Sequence, residues 1–307
     1  LTSIIDRLKT LVQKGALGVI LHADSRKATE NILFGSPFTV SLEVPVVYVA
    51  RLPFNKIRKV NSGTCTLGVE VDRTVSNPVN VIGWVNNHSA KIVVIGAHYD
   101  HVGVTRSRTG DDKSLQIHNG ADDNASGTAA MLELARWAVT EKSLKYNYIF
   151  AAFSAEEKGL FGSKAFCSLP WVNNRNIVYM LNMDMVGRLG CEGDTMSVLG
   201  VGSSEVWEPL IDSVGHPDFA FKKITGAPAF SDHSPFLKKD IPVIYFTSGI
   251  HSDYHTPKDD TELINFDGIA ELVSYLQYFI RSAEHLPQIT FRNIGIIQQT
   301  RAYFQTF

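Results

Sequence analysis

The apolar positions of this chain change their spacing partway along it. In residues 1–75, Ile4, Ile5, Leu8, Leu11 and Val12 line one helical stripe, and Gly15 stands where a C-terminal cap is expected. Short β-rich runs follow at Leu17–Leu21, Val44–Val49 and Thr64–Val71, divided by charged or Gly/Pro-containing segments. This part reads as a small α/β module, and it carries no cluster of His, Asp or Glu of ligand type.

From about Asn77 apolar strands alternate with helical stripes. Candidate strands are Val79–Trp84, Lys91–Ala97, Tyr148–Phe153, Val178–Met183 and Pro242–Phe246. Met131, Leu134, Ala135 and Ala138 mark one helix, and Ile269, Leu272, Val273, Leu276, Phe279 and Ile280 mark another. Such alternation argues for βαβ units. The expected fold class is α/β, with a mixed, mostly parallel central sheet flanked by helices over 76–286. Residues 287–307 show no clear period and form an unassigned tail.

Composition narrows the picture only by exclusion. The chain of 307 residues is 44% hydrophobic and 20% charged, an ordinary globular balance. A formal net charge of -2 gives no electrostatic signature of a nucleic-acid binder. No apolar run is long enough for a transmembrane helix. Cys65, Cys167 and Cys191 lack metal-type spacing and read as small buried hydrophobes. Nothing in the pattern specifies an oligomeric state.

The chemistry lies at the ends of the candidate strands. Lys91–Ala97 runs into His98-Tyr99-Asp100, Tyr148–Phe153 into Ser154-Ala155-Glu156-Glu157, and Val178–Met183 into Asp184. In open parallel sheets the binding crevice lies outside the carboxyl ends of the strands, so these residues should converge. The Gly-flanked acidic loop Gly120–Gly127 opens a helix, and His255 sits in a loop kept from helix by Pro257. Singly, each has a bland explanation as a cap, a solvated pair or a structural histidine. Together, carboxylates and imidazoles in one water-poor crevice repel or lose solvation unless a cation neutralises them. Two divalent ions would be balanced by Asp122, Glu157, Asp184 and a bridging hydroxide, leaving Glu156 to handle protons. Mixed nitrogen and carboxylate donors suit zinc, with manganese or cobalt as alternatives.

Six segments resemble the M28 family of zinc peptidases: Gly96–Asp100, Gly120–Gly127, Ser154–Ser163, Asn182–Arg188, Ser231–His233 and Tyr254–Thr256. They follow the family's order and spacing from Val79 to about Leu286. The resemblance implies two Zn2+ ions, with Asp122 bridging both, Glu157 and His255 completing one shell, and His98 and Asp184 the other. It implies that Glu156 is the general base, that the Asp100 carboxylate orients His98, and that Tyr254 helps hold the oxyanion. His233 would line the substrate site or serve structurally. The implied activity is that of a dinuclear aminopeptidase acting on peptides through a metal-bridged hydroxide.

Residues 1–75 resemble the later part of a protease-associated (PA) domain. That likeness implies that the opening strands of the module, and a peptidase segment before it, lie outside this sequence. It also points to a secreted or periplasmic location, although no leader is visible before Leu1. Three rivals share the resemblance. A glutamate carboxypeptidase would need arginines near the motifs, and none is obvious. A glutaminyl cyclase-like acyltransferase works with one zinc. A catalytically dead binding protein should lack ligands or the base, and all are present here.

Overall fold

A computed structural model describes residues 4–22, 42–49, 51–60, 63–64, 66–67, 76–106, 114–189, 194–215 and 218–294. Most of the strand expected at Thr64–Val71 lies outside the described residues, as do Cys65, Cys191 and residues 295–307 of the tail. The chain divides into two compact units, Leu1–Asn77 and Pro78–Phe307. In the first, α1 (Ile4–Gln13) precedes β1 (Val19–Leu21), which pairs in parallel with β2 (Val46–Tyr48) ahead of α2 (Arg51–Ile57). Gly15 leaves α1 with a φ of 91°, a conformation glycine enters without steric cost.

The second unit carries, in chain order, β3 (Val81–Val85), β4 (Ile92–His98), β5 (Gly103–Arg106), β6 (Leu115–His118), α3 (Gly127–Thr140), β7 (Asn147–Phe153), α4 (Phe161–Cys167) and β8 (Ile177–Met183). Then come β9 (Thr195–Leu199), α5 (Trp207–Ser213), β10 (Ala220–Ile224), α6 (Ser234–Leu237), β11 (Val243–Thr247) and α7 (Phe266–Glu284). Seven strands form one sheet in the order β10-β9-β11-β8-β4-β7-β3. Its centre, β11, β8, β4 and β7, is parallel, while β3 pairs antiparallel with β7 and β9 antiparallel with β11. The fold is therefore the expected mixed, mostly parallel α/β sheet. Strands β9 and β10 were not anticipated. The two lysines of β10 blur its period, and the identity of both strands comes from pairing, β10 with β9 and β9 with β11.

Every residue of β4 is buried, as two covered faces require. Alternate residues sort onto the two sides. Val93, Ile95 and Ala97 join the core beneath α3 and α7, packed on Leu134, Leu272, Leu276 and Phe279. Ile92 and Val94 join the core beneath α4 and α6, with Phe166, Phe236 and Cys167, the last a free, buried thiol. The tail adds to this second core through Phe291 and Ile294. Helix α7 begins at an N-cap, where the Asn265 side chain accepts the Gly268 N–H at 2.9 Å.

Candidate metal centre

The parallel strands deliver polar side chains to one end of the sheet. His98 is the last residue of β4, Glu156 and Glu157 follow β7, and Asp184 follows β8. Three loops at this end hold a non-glycine residue in the left-handed region: Ala155 before Glu156, Met185 after Asp184, and His255 itself. Such conformations persist where surrounding structure over-determines them, and they concentrate at functional sites. Both oxygens of Asp100 accept backbone N–H groups, from Glu156 at 3.0 Å and Glu157 at 3.4 Å, and so fix the turn after β7.

Two sets of donor atoms converge, and Asp123 belongs to both: His98, Asp123 and Asp184 in one, His101, Asp123, Glu157 and His255 in the other. His98 Nε2 lies 3.3 Å from Asp123 Oδ1 and 3.3 Å from Asp184 Oδ1. His255 Nε2 lies 3.1 Å from Asp123 Oδ2 and 3.0 Å from Glu157 Oε1. Donors around a tetrahedral zinc with bonds of about 2.0–2.1 Å are separated by about 3.3 Å. The buried Glu157 Oε1 and His255 Nε2 make no hydrogen bond despite their closeness. Close approach without hydrogen-bonding geometry is what two ligands of one cation would show. Spacing, donor types and unpartnered atoms all fit a pair of zinc-like ions.

The shared carboxylate is that of Asp123, which corrects the assignment of the bridging position to Asp122. Asp122 Oδ1 accepts the Gly187 N–H at 2.6 Å and the Ser126 hydroxyl at 3.0 Å, and Oδ2 lies 3.2 Å from His251 Nε2. Those partners turn it away from the cluster. Adjacent acidic residues are indistinguishable in sequence, and the backbone path of the loop Ala121–Ser126 decides which one faces the donor cluster. That path is fixed by Asp259, a fully buried carboxylate that accepts the N–H groups of Asp122 and Asp123 at 3.0 Å and pairs with buried Arg188 at 3.2 Å. Sequence reading missed His101, Asp259 and Arg188. The repeat His98-Tyr99-Asp100-His101 was the available signal for the first.

Asp100 also acts differently from expectation. Its carboxylate is 3.9 Å from His98 Nδ1, whereas its backbone carbonyl accepts from Nδ1 at 3.0 Å. A carbonyl can only accept, so Nδ1 carries the proton and the Nε2 lone pair faces Asp123 and Asp184. Asp184 is steadied by Ser231, whose hydroxyl donates to Oδ2 at 2.7 Å and accepts from Asn182 at 2.8 Å. His233 is fully buried, with Nε2 2.8 Å from the Pro228 carbonyl and its ring stacked on Tyr245 at 4.9 Å. Of the two roles left open for it, lining or structural, the geometry gives the structural one: it backs Tyr245, which lines the adjoining cleft.

A cleft of about 130 Å³ adjoins the donors. His98, Asp123, Glu156, Asp184 and Tyr254 form its polar wall, and Met185, Phe230, Tyr245 and Ile250 its apolar wall. Burial raises the proton affinity of Glu156 well above the carboxylate range, with Asp184, Asp232 and Glu157 adding to it and His98 opposing. Burial likewise raises that of the Tyr254 phenol, followed by Asp123 and Glu157 nearby. Its ring stacks on His255 at 3.8 Å.

Comparison with known proteins agrees with this architecture. The family model of peptidase family M28 matches residues 80–280. Aminopeptidase YwaD of Bacillus subtilis (strain 168) is 28% identical over 274 residues, covering 85% of this chain and 55% of that protein. Leucine aminopeptidase 1 of Uncinocarpus reesii is 30% identical over 250 residues, covering 73% of this chain and 60% of that one. The chain thus spans little more than half the length of these relatives. Among solved structures, the zinc aminopeptidase BSAP from Bacillus subtilis superposes with a TM-score of 0.61 at 23% identity, over 94% of this chain and 70% of that one. Glutaminyl cyclase from Porphyromonas gingivalis gives 0.56 at 20% identity, over 68% of this chain and 78% of that one, and shares the fold. With the family matched across most of its length, this chain belongs to peptidase family M28.

Proposed function

We propose that this chain is a two-metal aminopeptidase unit that removes single residues from the N-termini of peptides. The observation that carries this reading is Asp123, common to two donor sets at zinc-like spacing beside an unligated Glu156. Bound there, two divalent ions supply Lewis acidity, which acidifies water and polarises a carbonyl. His98 and Asp184 hold one position, Glu157 and His255 the other, with Asp123 between them. Glu156, its proton affinity raised by burial, takes a proton from the attacking water and passes it to the leaving amine. Tyr254, kept protonated, donates toward the carbonyl oxygen as charge develops there.

The cleft supports an exopeptidase that reads amino ends. Among the described residues its walls present Asp123, Glu156 and Asp184 but no arginine or lysine. A C-terminal carboxylate therefore finds no cationic side chain in that lining to grip it. A one-ion acyltransferase would leave one donor set without a cation. Zinc-loaded protein should release leucine from a leucyl peptide, spare the N-acetylated peptide and stop on chelation. Cleavage of the blocked peptide, or cyclisation of N-terminal glutamine without peptide cleavage, would overturn the assignment.

A further inference from the structure

The two-metal reading assigns His101 no role, yet its ring lies within the second donor cluster. Its Nδ1 is 3.1 Å from Glu157 Oε1 and 3.6 Å from Asp123 Oδ2. The side chain is 9% exposed, and neither ring nitrogen makes a hydrogen bond within the protein. An imidazole held this close to two carboxylates without hydrogen-bonding geometry is what a cation shared between them would explain. The ring stands edge-on to that of His255 with centroids 5.6 Å apart, so the two imidazoles approach one point from different directions.

The backbone builds this placement. His101 follows β4 by three residues, and Gly120 packs against its ring from the loop before α3. A Cβ at Gly120 would meet His101 Cγ at 2.6 Å, and Gly120 also has a φ of 65°. The loop that carries Asp123 is therefore seated on the His101 ring, which aligns the two donors.

We infer that His101 is a fourth protein ligand of the ion held by Asp123, Glu157 and His255. This assignment rests on the two-metal reading above. Four of the six donor–donor separations in that cluster, 3.0, 3.1, 3.1 and 3.6 Å, bracket the value of about 3.3 Å for tetrahedral zinc. The two positions are then unequal. One is filled by two imidazoles and two carboxylates, the closed geometry of a firmly held ion. The other has only His98, Asp123 and Asp184 from the protein, and keeps the open coordination that catalysis needs. The His98 side would then be the one left open to water and substrate.

Zinc titration of metal-stripped protein by calorimetry, with chelator competition, tests this. Wild type should bind two ions of clearly different affinity. His101→Ala should weaken the tighter site by at least about 100-fold, since even an outer partner of a ligand costs roughly 10- to 100-fold when lost. The weaker site should keep its affinity, and His98→Ala should show the reverse pattern. Cobalt-loaded wild type gives a readout independent of any variant: three paramagnetically shifted imidazole N–H signals in the proton spectrum. Two such signals, or two unchanged sites in His101→Ala, would overturn the ligand role of His101 and leave the two-metal reading standing. Wild type that binds no zinc would instead overturn the reading itself.

Discussion

The two donor sets that meet at Asp123 are built in different ways. His98 and Asp184 sit at the ends of adjacent central strands, β4 and β8, whose register is set by a backbone ladder. Both are buried, and the imidazole is fixed by a carbonyl two residues away. His255 lies on a loop, is 36% exposed and adopts a left-handed backbone. His101 and Glu157 also lie beyond the strand ends. The sheet itself therefore sets one half of the site, and the other half depends on how three loops pack. A site on rigid elements is more accurately placed than one on loops.

The largest test of this comparison is Asp123→Ala. Loss of the shared carboxylate should release both ions and abolish turnover, whereas Asp122→Ala should retain both, as metal analysis of the purified variants would show. Retention by the first, or loss by the second, would mean that the bridge is misassigned. Glu156→Gln comes next. Both ions should stay bound while kcat falls by roughly 10²- to 10⁴-fold, the usual contribution of a general base. Near-normal kcat would remove Glu156 from the chemistry.

Arg188→Met probes the support beneath the shared loop. It leaves the fully buried Asp259 without its cation, which costs about 3 kcal/mol by analogy with broken buried pairs. Denaturant unfolding should show that loss, together with weaker binding of both ions, since Asp259 positions the backbone of Asp123. A loss of stability with ion affinity unchanged would confine Arg188 to the fold.

The smallest effect is electrostatic and distinguishes chelated from zinc-loaded protein. Burial alone would lower the pKa of His255, but the carboxylates of Asp123 and Glu157 outweigh it and raise it to about 9. Because this folded value exceeds the unfolded one of about 6.5, protonated His255 stabilises the chelated protein fully below that pH. The contribution fades as pH rises toward 9. Unfolding midpoints of chelated protein should therefore fall across this window, and His255→Gln should flatten the slope. Ions substitute for the protons, so zinc-loaded protein should lack the decline. An equal slope in the variant would place the effect elsewhere.

The legibility of the site follows the same division. His98, Glu156, Glu157 and Asp184 could be placed together from sequence because each follows an apolar run that ends at the same edge of a parallel sheet. His255 was found through its motif and its proline. Asp122 and Asp123 could not be told apart, because a single residue of loop path exchanges their directions. The edge strands β9 and β10 were illegible because their identity is a matter of pairing.

What the sequence determined by itself was local: the period of each element, the α/β alternation, and the chemistry waiting at each strand end. Those properties depend on residues close in the chain, where apolar spacing and turn residues leave few choices. Only the tertiary structure decided which neighbour is common to both donor sets, that Asp100 holds His98 through its carbonyl, and that His233 backs Tyr245. It alone brought His101 to Glu157, and Arg188 to Asp259 beneath the loop. These outcomes depend on contacts between segments separated by tens of residues, where displacements of an ångström or two select the partner.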